Sequence, residues 1–85
     1  MKYQIYTIFD NVAKLYHPPM FLMNDAVAIR NITTLKNDPS TSLGQNPNDF
    51  NMYHIGEYDD LMGEISVSTK TQINSNVQLK EVSEK

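Results

Sequence analysis

Few groups in this chain could do chemistry, and most of them sit together in His54-Ile-Gly-Glu57-Tyr-Asp59-Asp60. An imidazole beside three carboxylates contains the donor types of a metal site or an acid–base pair. Strand alternation, however, places His54 and Glu57 on opposite faces unless a bulge at Gly56 restores them to one. The spacing fits no standard ligand framework, so a cross-strand or hairpin-tip hydrogen bond is the expected role. A metal-dependent hydrolase using His54 and Glu57 is the remote alternative. Asp59 and Asp60, adjacent in a turn, read as solvated carboxylates rather than as a general acid and its base. His17 is the other histidine, and a Ser-His-Asp triad would have to recruit one of the two. The sequence contains no nucleophile elbow, phosphate-cradling glycine loop or metalloprotease helix. It has no cysteine, which excludes disulfides, thiolate catalysis and cysteine-ligated zinc. Asn31-Ile-Thr33 matches the glycosylation sequon but falls mid-helix, where it is discounted. These observations predict a protein that is not an enzyme and uses no metal or cofactor.

The five tyrosines and three phenylalanines carry more information. Tyr6 and Tyr53, each on a strand, are expected on the sheet face away from the helix, with Lys2, Lys14 and Arg30 nearby. Tyr16 and His17 lie in the connection between strand and helix, with their role open. Aromatic platforms flanked by cations hold single-stranded nucleic acid. The same side chains would equally close a dimer interface. Seven basic residues against ten acidic ones, for a net charge of −3, lack the usual nucleic-acid footprint and favour the interface. The charge is also uneven. Residues 1–37 hold four basic and two acidic side chains, residues 38–64 hold six acidic and no basic ones, and residues 65–85 return to +1. A solvated acidic hairpin tip is the simplest account, and a polar self-association surface is the other.

The elements that must position these residues start with Met23–Pro39. Asn24 or Asp25 is a fitting N-cap, and Asp25 places a carboxylate at the positive end of the helix dipole. Ala28, Ile29, Ile32 and Leu35 recur at three- and four-residue steps and share one face. Asn37 suits a left-handed helix end, and Pro39 stops the helix. Before it, Lys2–Phe9 is a strand by propensity, with Tyr3, Ile5, Thr7 and Phe9 on one face and Gln4, Tyr6 and Ile8 on the other. Residues 11–23 read as a loop broken by Pro18-Pro19, in which Phe21 and Leu22 pack under the helix start. Residues 38–49 form a turn-rich loop anchored by Leu43. Phe50–Tyr58 and Glu64–Ser68 then make a hairpin, with Gly56 marking a bulge or a close backbone approach. From Ser68 the apolar residues thin out, which predicts a flexible polar tail over 68–85. The expected fold is α+β: a two-layer β-α-β-β domain over residues 1–67, with a three-stranded sheet carrying the helix on one face. If the first two strands ran parallel, their crossover would be right-handed. At 85 residues such a core is small, so a homo-oligomer is expected. No apolar stretch suggests a leader or a membrane span, which predicts a cytoplasmic protein with no membrane partner.

Tyr6-Thr-Ile-Phe-Asp10, Asn24-Asp-Ala-Val-Ala-Ile-Arg30, Asn37-Asp-Pro39, Asn48-Asp-Phe50 and Tyr53-His-Ile-Gly-Glu-Tyr-Asp59 occur in an order that resembles the small non-structural protein of gokushovirus-type microviruses. These are phages with circular single-stranded DNA genomes. The resemblance covers residues 1–67 and leaves Ser68–Lys85 outside. It implies a protein of the host cytoplasm that is absent from the virion and accessory to genome replication. It supplies no catalytic residues. The partners it implies are single-stranded DNA or viral and host replication proteins. Lys2, Tyr6, Lys14, Tyr16, Arg30 and Tyr53 are the candidate contact residues. A homo-oligomeric module that contacts a host or viral protein without touching DNA is the rival reading.

Overall fold

A computed structural model of the chain describes residues 1–73. Its strands are β1 (Lys2–Asp10), β2 (Leu15–Tyr16), β3 (Met20–Leu22), β4 (Phe50–Asp59) and β5 (Glu64–Ile73). Its helices are α1 (Asp25–Lys36) and the short α2 (Ser42–Gln45), and a 3-10 turn over Pro47–Asp49 leads into β4. The strands form one curled antiparallel sheet in the order β2-β1-β4-β5, with β3 also on β1. The expected three-stranded β-α-β-β layout is therefore overturned by a mostly β, five-stranded sheet with one long helix. Because β1 and β4 are antiparallel, no parallel crossover exists between them.

The two extra strands come from the segment read as a loop. Asp10 turns the chain: its carboxylate accepts from Val12 N and Ala13 N at 2.9 and 3.1 Å, and its carbonyl from Lys14 N at 2.8 Å. Lys14 takes a left-handed φ of 63° to close that turn. The returning chain pairs with β1 as β2, and His17 N donates to Ile8 O at 2.7 Å. Pro18 and Pro19 have no N–H to give, so the ladder lapses there. The Thr7 hydroxyl fills part of the gap by donating to His17 O at 2.8 Å, and pairing resumes at Met20 as β3. Two prolines thus interrupt an edge strand instead of excluding one.

The other departure is at the far end. The third strand of the expected hairpin does not stop at Ser68: β5 continues to Ile73, which pairs with Met52 and is buried. The tail expected over 68–85 thus gives up 68–73 to the sheet, and the rest of it lies outside the described residues.

Helix α1 follows its sequence signals closely. The Asn24 side chain caps it by accepting from Val27 N at 2.9 Å. Ala28 and Ile32 are fully buried, with Ile29 and Leu35 packed beside them. Its end differs from expectation: Asn37 has φ −96°, not a left-handed value, and its N–H donates back to Thr33 and Thr34 carbonyls. Lys36 is buried as well, which its position on the apolar side of the last turn explains. The core lies between α1, α2 and one sheet face. It comprises Tyr6, Ile8, Ala28, Ile32, Leu43, Phe50, Met52 and Ile73. Leu43 is the anchor foreseen for its loop, held in α2, whose N-cap Thr41 accepts from Gly44 N at 2.9 Å.

Candidate functional site

A bulge in β4 organises both faces of the sheet. Register shifts between His54 and Gly56, so Ile55 stands out of the ladder. A Cβ on Gly56 would lie 2.6 Å from Ser66 O, so only glycine permits the strands to approach this closely. On the helix-facing side the extra residue brings His54 and Glu57 to one face, as the spacing allowed. Gln4 bridges them: its amide oxygen meets His54 Nε2 at 2.8 Å, and its amide nitrogen donates to Glu57 Oε2 at 3.0 Å. A bridging amide is a structural role. Among the described residues no group of three or more His, Cys, Asp or Glu side chains converges as metal ligands would.

Tyr6 also belongs to this inner side, contrary to its expected position opposite the helix. It pairs with His54, its ring is wholly buried, and its hydroxyl donates to Asp25 Oδ1 at 2.6 Å. Burial, and then the hydrogen bond and charge of Asp25, hold that hydroxyl protonated well above a tyrosine's ordinary pKa. Tyr6 is a core residue that ties β1 to the start of α1.

The outer face carries six of the eight aromatic residues. Alternation along β1 places Tyr3, Ile5, Thr7 and Phe9 there, and pairing adds Tyr58, Tyr53, Tyr16 and Phe21, so Phe21 stands away from the helix it was expected to pack under while Leu22 packs on the core. They fall into two groups on either side of the bulge. Toward the β4–β5 turn, Tyr3, Phe21, Tyr58 and Ile65 line an apolar hollow of about 290 Å³. Toward the opposite end, Phe9 and Tyr16 have ring centroids 4.6 Å apart, and Tyr16 and Tyr53 lie edge-on at 6.3 Å. Lys70 Nζ stands 4.6 Å from the Tyr16 ring centre and 5.5 Å from that of Tyr53, and it donates to the Tyr16 hydroxyl. Thr7, His17, Pro19 and Ile55 complete a groove beside it of about 340 Å³. The ammonium meets Tyr16 at its hydroxyl edge and lies within reach of the Tyr53 ring, whose quadrupole attracts a cation. Planar rings beside an ammonium can stack a flat ligand and pair with its anion.

The structure brings together Tyr16 and Tyr53 of the six candidate residues. Lys2 faces the inner side, with Nζ 3.9 Å from Glu57 Oε1. Lys14 lies in the β1–β2 turn, and Arg30 is exposed on α1, across the sheet from the outer face. Lys70 and Phe9 were missed. Lys70 stood in the segment read as tail, although the run Ser-Val-Ser-Thr-Lys-Thr-Gln-Ile73 is β-branched and ends on an apolar residue.

Among the described residues no helix is long and apolar enough to cross a membrane. A family model described as Phage ORF5 protein matches residues 3–79, beyond the stretch over which the motifs alone showed a resemblance. No curated protein and no solved structure matches the chain. With 77 of its 85 residues inside that match, the chain belongs to the Phage ORF5 protein family.

Proposed function

We propose that this phage protein is a non-enzymatic accessory of genome synthesis in gokushovirus-type microviruses. It acts in the host cytoplasm, is not carried in the virion, and binds single-stranded DNA on the outer sheet face. The observation that carries the reading is the position of Lys70 beside Tyr16 and Tyr53, with the Phe9 ring tilted against Tyr16 at 4.6 Å. Unpaired bases stack on such rings while an ammonium meets the phosphate, and neither contact depends on base sequence. The acidic turn at Asp59-Asp60 lies at the far end of β4, so those two carboxylates are kept away from the groove. The motif resemblance supports the single-stranded genome context, and the family match supports the phage context.

The test is fluorescence anisotropy of a labelled oligothymidylate titrated with protein across a salt series. Binding should weaken as salt rises. Tyr53→Ala should weaken it about fivefold or more, in line with the loss of one stacked base at ~1–3 kcal/mol. Lys70→Ala should flatten the log–log salt slope by about 0.7, one phosphate contact on a single strand. No binding at low salt would leave the rival reading, contact with a replication protein without DNA.

A further inference from the structure

The apolar half of the outer face lies outside the groove assigned to DNA, and its chemistry calls for a different occupant. Tyr3, Phe21, Tyr58 and Ile65 line it, and Val67 extends it on the tip side of the bulge, paired with Gly56. Ile65 is 62% exposed, Val67 89% and Phe21 47%, and Leu61 and Met62 in the adjoining turn are 83% and 65% exposed. None of these seven side chains can carry a cation. The rings pack on one another, Phe21 edge-on to Tyr58 at 5.9 Å and Tyr3 tilted to Tyr58 at 6.5 Å, with no cation beside them among the described residues to meet a phosphate, and the neighbouring turn is acidic through Asp59, Asp60 and Glu64. A protein surface is what this patch fits.

We infer that the patch is the contact between two copies of this chain, packed outer face to outer face about a twofold axis near Tyr58 and Ile65. Area and charge both support a second copy as the occupant. Burying the whole exposed surface of Phe21, Leu61, Met62, Ile65 and Val67 would remove about 600 Å² per copy, at the lower bound of a standard specific interface at ~600–1,000 Å² per partner. In a twofold contact each patch residue meets a residue of the same patch, and an uncharged patch meets no like charge at the axis. Antiparallel packing also directs the two acidic turns to opposite ends. The overlap ends near Gly56, so Phe9, Tyr16, Tyr53 and Lys70 of both copies stay open. The two faces of a core this small gain a second apolar layer in the process.

Sedimentation equilibrium of the full chain, without DNA, tests this. The expected mass is twice 9.7 kDa. Val67→Asp and Ile65→Lys alter side chains that are already exposed, so circular dichroism and the unfolding of the isolated chain should not change. Both should return the protein to monomer and raise the dimer dissociation constant by at least about tenfold, because each places an unpaired charge in the contact. A monomeric wild type at ~100 μM overturns the inference. So do variants that remain dimeric, and so does loss of oligothymidylate binding in variants of unchanged mass, which would give the patch to DNA. The sedimentation result does not depend on whether DNA binds the groove, so either reading can fail without the other.

Discussion

Replacing Tyr6 with phenylalanine deletes one oxygen from the best-buried aromatic in the protein. The ring keeps its packing against Ala28, Ile32 and Met52, and only the 2.6 Å hydrogen bond to Asp25 is lost. A hydrogen bond to a charged acceptor contributes ~1.5–3 kcal/mol, but Asp25 is exposed and regains water when the tyrosine is gone. The expected cost is therefore nearer ~1 kcal/mol, a fall in Tm of about 4–8 °C for a domain of this size. Asp25→Ala should cost more, ~2 kcal/mol. It leaves the hydroxyl at the core's edge without its acceptor and removes a carboxylate from the first turn of α1. Urea unfolding followed by circular dichroism measures both variants and the double variant, whose cycle isolates the coupling. The pH profile gives a second check. Folding raises the Tyr6 pKa above its ordinary 10.0, so the folded state keeps a proton that the unfolded state sheds. Stability from this group is whole below pH 10 and declines as pH climbs above it, a decline that Tyr6→Phe should lack. The reasoning fails if Tyr6→Phe matches wild type, or if Asp25→Ala is the milder change.

Lys36→Met should stabilise the protein at pH 7, read as a higher Tm, because burial pushes the Lys36 amine below its ordinary pKa and charging it there opposes folding. The wild type should gain stability as pH rises toward 10.5, where the unfolded chain also loses that proton, and the variant should not. Gly56→Ala should cost about 2 kcal/mol or more in denaturant unfolding, since its methyl meets the Ser66 carbonyl and must part β4 from β5. Asn24→Ala should cost about 1 kcal/mol in the same assay through loss of the α1 cap.

What could be read in the chain was whatever local physics decides. The cap, stripe and stop of α1, the Gly56 bulge and the anchor at Leu43 each announce themselves within a few residues. Strands β2 and β3 do not. They total five residues around Pro18-Pro19, and what makes them strands is a long-range ladder to β1 that no local pattern encodes. The second half of β5 was hidden differently. As an edge strand its exposed positions are polar, so its composition imitates a tail until Ile73 is seen under the sheet. Tyr6 illustrates a third limit. Alternation correctly separated Tyr6 from Tyr3 and Phe9, but a strand with two apolar faces does not say which one the helix will cover. The aromatic pair foreseen on the outer face was therefore half right in position: Tyr53 is there, and its true neighbours are Tyr16 and Lys70.

The bulge links these outcomes. Without the extra residue at Ile55, alternation would put His54 and Glu57 on opposite faces, and Gln4 could not bridge them. The insertion is absorbed on β5 as well, where residues 68–70 span the gap between the Val67 and Thr71 pairings and Lys70 stands beside Tyr53. The same irregularity divides the outer face. On its tip side the ladder carries Ile65 and Val67, and on the other side it carries Lys70 and Gln72. An unbroken β4–β5 ladder would shift the residues beyond the break to the opposite face and remove the cation from the aromatic groove. Gly56 is thus the residue on which both surfaces depend. A change there that spares the fold should disturb oligothymidylate binding and self-association together, whereas Tyr53→Ala and Val67→Asp should each disturb one.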